Sequence, residues 1–164
     1  MCLWKLILIA MGEKEYIMSL PILKANNQDV SVILKHSAAG VYESTGKTVN
    51  PSKEKVYAMF TAILEKGGYY LVAKEEDQIQ GWILLGQNRD YFTDAIHGFI
   101  YDIFVLPEYR GKGLSKILIQ YGIEELKLKG YEEIGLNVFA SNTVKELYKR
   151  LGFKETQILM KLSV

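Results

Sequence analysis

Short apolar runs alternate along the chain with stretches whose apolar residues recur every three or four positions, and the two periods divide it into strands and helices. Ser19-Leu20-Pro21-Ile22-Leu23-Lys24-Ala25 reads as a first strand, with Pro21 suiting an edge or a strand start. Asn26 or Asn27 then caps a helix carrying Val30, Ile33 and Leu34 at helical spacing. From Ala38 to Pro51 the residues turn polar around Gly40 and Gly46, which predicts a loop with at most a helical turn. Pro51-Ser52 opens a second helix with Val56, Met59, Phe60, Ile63 and Leu64 on one face, and Gly67-Gly68 stops it.

A run of strands follows: Tyr69–Ala73, a charged turn over Glu75–Gln78, then Ile79–Leu85. Gln87–Ala95 reads as a polar loop, and Phe99–Val105 as the next strand. Leu114, Ile117, Leu118, Tyr121 and Leu126 mark a third helix, closed by Gly130. Ile134–Phe139 predicts a fifth strand, Ser141 or Asn142 caps a helix ending at Gly152, and Phe153 to Met160 reads as a terminal strand. The order is β-α-α-β-β-β-α-β-α-β. It belongs to the α/β (α+β) class, with hairpins through the middle and one right-handed crossover helix joining two parallel strands.

The 164 residues are 49% apolar, enough for one domain with a real core. A net charge of +1 offers no broad field for nucleic acid or membrane, so any anion site is local. Cys2 is the sole cysteine, and His36 and His97 stand far apart, which argues against a metal centre or disulfide framework. The apolar run after Lys5 is short both for a membrane span and for a signal peptide, so a cytoplasmic protein is expected. Residues 1–18 read as an N-terminal extension, since Met18 could itself start translation, and residues 19–164 as a single domain.

One stretch concentrates candidate chemistry: Val105-Leu106-Pro107-Glu108-Tyr109-Arg110-Gly111-Lys112-Gly113-Leu114-Ser115. A strand that passes through two glycines into a helix exposes main-chain N–H groups at the positive helix end, and phosphate binds such corners. The spacing fits neither the nucleoside-triphosphatase loop nor the dinucleotide fingerprint. Arg110-Gly111-Lys112-Gly113-Leu114-Ser115 does resemble the acyl-CoA signature of the Gcn5-related N-acetyltransferases, Arg/Gln-x-x-Gly-x-Gly/Ala, with Ser115 standing where that pattern has Gly or Ala. Leu136-Asn137-Val138 and Leu147-Tyr148 through Gly152-Phe153 are similar to the family's closing block, with Asn142 six positions before Tyr148 where the family has seven.

The resemblance covers roughly Ser19 to Met160 and implies the acyl-CoA N-acyltransferase fold, a mixed and mostly antiparallel sheet with helices on both faces. It implies acetyl-CoA as co-substrate, no metal, and transfer within a ternary complex to a primary amine of a small molecule or a peptide. A non-catalytic acyl-CoA sensor of the same fold is the alternative, and a homodimer is left open. By that resemblance Tyr148 is the general acid. Val105 offers its main-chain N–H to the oxyanion, and Ile103, Phe104 and Val105 offer main-chain groups to the pantetheine arm. Arg110, Gly111, Lys112, Gly113, Leu114 and Ser115 hold the phosphates, and Asn142 touches the cofactor. A phenol is protonated at neutral pH, so it can hydrogen-bond an emerging thiolate, or transfer its proton outright if its pKa is depressed. Asp102 is the candidate general base, because partial burial would raise its pKa, with His97 as fallback. Tyr42, Glu43, Asp90, Tyr91 and Phe92 would line an acceptor rim compatible with a cationic amine.

Overall fold

The computed structural model describes residues 20–164. The proposed extension, residues 1–18, and Ser19 lie outside the described residues. Five strands form one sheet in the order β1 (Ile22–Lys24), β2 (Tyr69–Glu75), β3 (Gln78–Arg89), β4 (Ile96–Val105) and β5 (Ile134–Leu136). The first four pair antiparallel and β5 runs parallel to β4. The crossover from β4 to β5 is α3 (Leu114–Leu128), preceded by a 3-10 turn at Pro107–Tyr109. Helices α1 (Asn27–Ser44) and α2 (Lys53–Glu65) precede β2, and α4 (Lys145–Arg150) follows β5.

Two cores result, one on each face of the sheet. Ile33, Val56 and Phe60 from α1 and α2 meet Tyr70, Val72, Trp82 and Leu84. Leu114, Leu118, Ile119 and Leu126 of α3, with Tyr148 of α4, meet Leu71, Ile83, Leu85 and Ile100. The central strands are thus apolar on both faces, as expected of strands covered from both sides. Asn26 is the cap of α1: its side chain accepts from Asp29 N–H at 2.9 Å, and Asp29 accepts from Asn26 N–H at 3.0 Å. Asp29 is buried there because Lys74 of β2 pairs with it at 2.9 Å.

Five expectations need correction. Helix α1 does not stop near Ala38 but runs to Ser44, because its small residues face the sheet. Ser37 and Gly40 are buried, and a Cβ on Gly40 would lie 3.2 Å from the Phe104 ring. Strand β3 continues through Gln87, Asn88 and Arg89, which pair with Gly98, His97 and Ile96. The expected loop shrinks to residues 90–95, folded around the Asp90 carboxylate, which accepts from Phe92 N–H at 2.9 Å and Thr93 N–H at 2.8 Å. Strand β5 ends at Leu136 instead of Phe139, and α4 starts at Lys145 without Ser141 or Asn142 as its cap.

The terminal strand, last in the expected order, does not form among the described residues. Phe153 packs edge-on against Tyr148, with ring centroids 5.9 Å apart. Lys145 and Lys149 then hold Glu155 at 2.9 and 3.2 Å. These contacts hold the chain against α4, away from the sheet, and Ile158, Leu159 and Met160 stay exposed.

Gly81 marks the tightest approach between β3 and β4: a Cβ there would lie 2.8 Å from the Phe104 carbonyl oxygen, which is backbone and cannot swing aside. Gly81→Ala is expected to cost ~1–3 kcal/mol, read as a lower midpoint in thermal or denaturant unfolding.

Candidate active site

The site is built where two parallel strands part. On one side β4 is paired with β3 along its whole length, but on the other only Gly98, Phe99 and Ile100 meet β5. From Tyr101 onward the outer edge of β4 has no strand beside it among the described residues. Leu106 N–H donates to Gln80 C=O at 3.0 Å, so this is a bonded position of the antiparallel ladder. By alternation Val105 and Ile103 turn their main-chain groups outward into the gap, while those of Phe104 face β3.

A bulge decides which side chain faces which layer. Leu84 pairs with Asp102 and Leu85 with Ile100, leaving Tyr101 as the extra residue. Without it Asp102 would share the face of Ile100, toward α3. With it, Asp102 turns to the α1 side and accepts from Trp82 Nε1–H at 2.9 Å. Asp102 is half-buried, and loss of water around its carboxyl pushes its pKa up to about 6, against the opposing pull of the Trp82 hydrogen bond.

Tyr148 stands across the gap on α4. It is 8% exposed, and burial, together with the nearby Asp102 charge, pushes its pKa up to about 12. A depressed tyrosine pKa is therefore not what this site provides. The phenol stays protonated, so its chemistry is that of a hydrogen-bond or proton donor.

The corner after β4 is an open nest of amides. Arg110 N–H donates to Pro107 C=O and Ile117 N–H to Gly113 C=O, at 3.3 and 3.2 Å. Between them the main-chain N–H groups of residues 111–116 have no acceptor among the described residues. Gly111 and Gly113 take φ of +78° and +79°, and a Cβ on either would meet nothing within 4 Å. Their requirement is thus conformational, and the space over them is free for a ligand. Leu114, the first residue of α3, is buried under the corner, and Ser115 follows it in the first turn.

Arg110 and Lys112 differ in their engagement. Arg110 Nε donates to Val105 C=O at 2.9 Å, its guanidinium lies 5.1 Å from the Phe104 ring centroid, and it pairs with Glu43 of α1 at 2.8 Å. Lys112 is exposed and has no ion pair among the described residues. Asn142 is also engaged: its Nδ2 donates to Ser44 C=O at 3.1 Å and its Oδ1 accepts from Val144 N–H at 3.0 Å. Of the expected rim, Glu43 reaches the corner through Arg110, whereas Tyr91 and Phe92 stand 89% and 83% exposed on the β3–β4 turn. His97 pairs with Asn88 and packs against Phe99 at 5.9 Å, on the half of β4 before the gap.

Sequence reasoning missed Trp82, the hydrogen-bond donor to Asp102. It sits in an apolar run that reads as plain core, and only the unseen bulge brings Asp102 to its face.

A strand-edge gap that leads into an amide nest matches a known enzyme family. Residues 38–153 match the model of the acetyltransferase (GNAT) family. The chain belongs to that family. The enzyme class is thus that of an N-acetyltransferase. The uncharacterized N-acetyltransferase YycN of Bacillus subtilis is 29% identical over 109 residues, covering 62% of this chain and 69% of that protein. The [ribosomal protein bS18]-alanine N-acetyltransferase of Haemophilus influenzae is 35% identical over 95 residues, 57% of this chain and 61% of the relative. In fold the chain is similar to a Pyrococcus furiosus structure named for acetyl transfer, with a TM-score of 0.74 and 23% identity over 88% of this chain and 99% of that one. A Clostridium acetobutylicum structure solved with acetyl-CoA gives a TM-score of 0.68 at 19% identity, covering 87% and 95%.

Among the described residues no three His, Cys, Asp or Glu side chains gather as a metal site, and no helix is long and apolar enough to cross a membrane. If the nest is an anion site, Gly113→Ala forces a side chain into φ +79° at a cost of ~1–2 kcal/mol. The substituted loop relieves that strain by leaving the left-handed conformation, which breaks up the nest, and inorganic pyrophosphate binding, followed by isothermal titration, is expected to weaken about tenfold.

Proposed function

We propose that the protein moves an acetyl group from acetyl-CoA to a primary amine, of a small molecule or of a peptide, within one ternary complex. The observation that carries this reading is the continuity of two stretches of main chain that keep open N–H groups: the outer edge of β4, where Arg110 takes the Val105 C=O, and the corner beyond it. The outward groups of Ile103 and Val105 suit the amides of a pantetheine arm lying as an added strand. They lead directly to the open amides of residues 111–116, which with Lys112 suit a diphosphate. Phe104 contributes packing, its main chain being spent on β3. Arg110 enters through its hold on Val105, and Asn142 through its hold on α1, unless ligand binding frees them.

The reaction follows from the two titrating groups. An amine arrives largely as its ammonium and must lose a proton before attack. Asp102, with a pKa of about 6, is mostly ionised at neutral pH yet basic enough to take that proton. The free amine attacks the thioester carbonyl, forming the C–N bond and an oxyanion that the outward Val105 N–H can bind. Collapse of the oxyanion breaks the C–S bond. The departing thiolate accepts a hydrogen bond from Tyr148, which keeps its own proton, and the proton lost by the acylated nitrogen neutralises the thiolate. The residual amide product leaves, and the proton held by Asp102 returns to solvent.

The relative that acetylates the alanine of a ribosomal protein supports including peptide amino groups among the acceptors. The same reading takes residues 19–164 as one catalytic domain working in the cytoplasm.

Acetyl-CoA is expected to raise the melting temperature, and thiol release across a panel of polyamines, lysine analogues and alanyl peptides should identify an acceptor. Binding without thiol release on any amine would leave an acyl-CoA-binding module. Tyr148→Phe should lower kcat by ~10²-fold while leaving acetyl-CoA affinity within about twofold. The pH profile of kcat/KM should rise with pH through about 6, as Asp102 loses its proton, and Asp102→Asn should remove that limb.

A further inference from the structure

Arg110 stands at the head of the amide nest, yet its guanidinium is spent elsewhere. Its Nε donates to Val105 C=O at 2.9 Å, its Nη2 donates to Glu43 Oε2 at 2.8 Å, and its charge lies 5.1 Å from the Phe104 ring centroid. A carboxylate, a carbonyl and an aromatic face gathered around one charge make a complete cation site. The chain fills that site with its own side chain.

The site lies close to the chemistry. Phe104 follows Asp102 by two residues on β4, and its ring packs 5.1 Å from that of Trp82, the donor to Asp102. Two residues of a strand span roughly 6.5 Å. Gly40 of α1 fits so closely on the Phe104 ring that a Cβ would lie 3.2 Å from it, which holds helix and ring together independently of Arg110. Glu43 has no other side-chain donor among the described residues. Its ion pair with Arg110 is half-open to water, the two side chains being 40% and 43% exposed, so it exchanges at little cost. A stronger partner can be seated next door. The open amides of residues 111–116 begin beside Arg110, and a diphosphate there offers the planar guanidinium a bidentate, charge-assisted contact.

We infer that Arg110 holds the place of a second positive charge on the acceptor. A diphosphate in the nest draws the guanidinium out. Glu43 and the Phe104 ring then receive an ammonium group a few carbons from the amine that reacts at Asp102. The preferred acceptors are accordingly diamines and other amines that carry a second cation. Release also hands the Val105 C=O to the pantetheine arm. The inference rests on the acetyl-CoA reading and on Asp102 as the base, and adds a coupling to them: diphosphate and dication each bind better when the other is present, by the same factor.

The coupling is measured by isothermal titration of diaminobutane, with butylamine as the singly charged control. Each is titrated into free protein and into protein saturated with CoA or with inorganic pyrophosphate. Either saturating ligand should tighten diaminobutane about fivefold or more and leave butylamine within about twofold. Glu43→Gln should abolish that gain, and Glu43→Asp should keep part of it. The Nε–H signal of Arg110, assigned by NMR with Arg110→Met, should shift when either ligand binds. An Arg110 signal that stays put in the liganded protein overturns the inference, as does a gain that is absent, equal for both amines or intact in Glu43→Gln. A gain with pyrophosphate but none with CoA keeps the exchange and sinks the acetyl-CoA reading instead. None of these readouts needs turnover. Failure of the Asp102 reading would show separately, as an acid limb of kcat/KM that survives in Asp102→Asn.

Discussion

A parallel pair of strands that separates while one of them continues must leave main-chain donors and acceptors facing nothing, and the protein is arranged around that debt. Gly98 to Ile100 keep their ladder with β5, but the next residues of β4 do not. Within a folded chain such groups demand a partner. Here Arg110 supplies one, binding the Val105 carbonyl, while the Val105 N–H stays available. Everything that stiffens β4 from its other side, above all the long pairing with β3 on both sides of the bulge, supports the open edge.

The second theme is the placement of a carboxylate by an irregularity. One additional residue, Tyr101, turns Asp102 from the α3 core to the layer under α1. There it meets an indole N–H and little water, which is why its acidity falls in the range where a proton can be both taken and returned. Tyr148 reaches the same place from the opposite layer. The influence runs in one direction: a charged Asp102 makes Tyr148 a weaker acid and so keeps its phenol a hydrogen-bond donor.

The main fold was legible because its signals are local. The apolar faces of α2 and α3, the Gly67-Gly68 stop and the two glycines of the corner are properties of neighbours in sequence. The full length of α1 was not legible, since Gly40 looks like a breaker until Phe104 is seen beneath it. The course of the chain after α4 was not legible either, since Phe153 and Glu155 pack against residues of α4 that lie five to ten positions earlier. Asp102 could be found by its type and its place near the corner, but its partners could not, because a bulge leaves no mark in an alternating pattern and pairs residues twenty positions apart.

The end of α1 touches both banks of the gap: Glu43 meets Arg110 on the β4 side, and Ser44 and Thr45 meet Asn142 and Ser141 on the β5 side, at 2.8, 3.1 and 3.4 Å. These ties are partly exposed, and each is worth only ~1 kcal/mol or less. The sheet beneath them is held by ladders and by buried apolar side chains. Compliance and stiffness are thereby segregated: the ties at the mouth of the gap are the weak ones, and the floor beneath them is the part that keeps its dimensions.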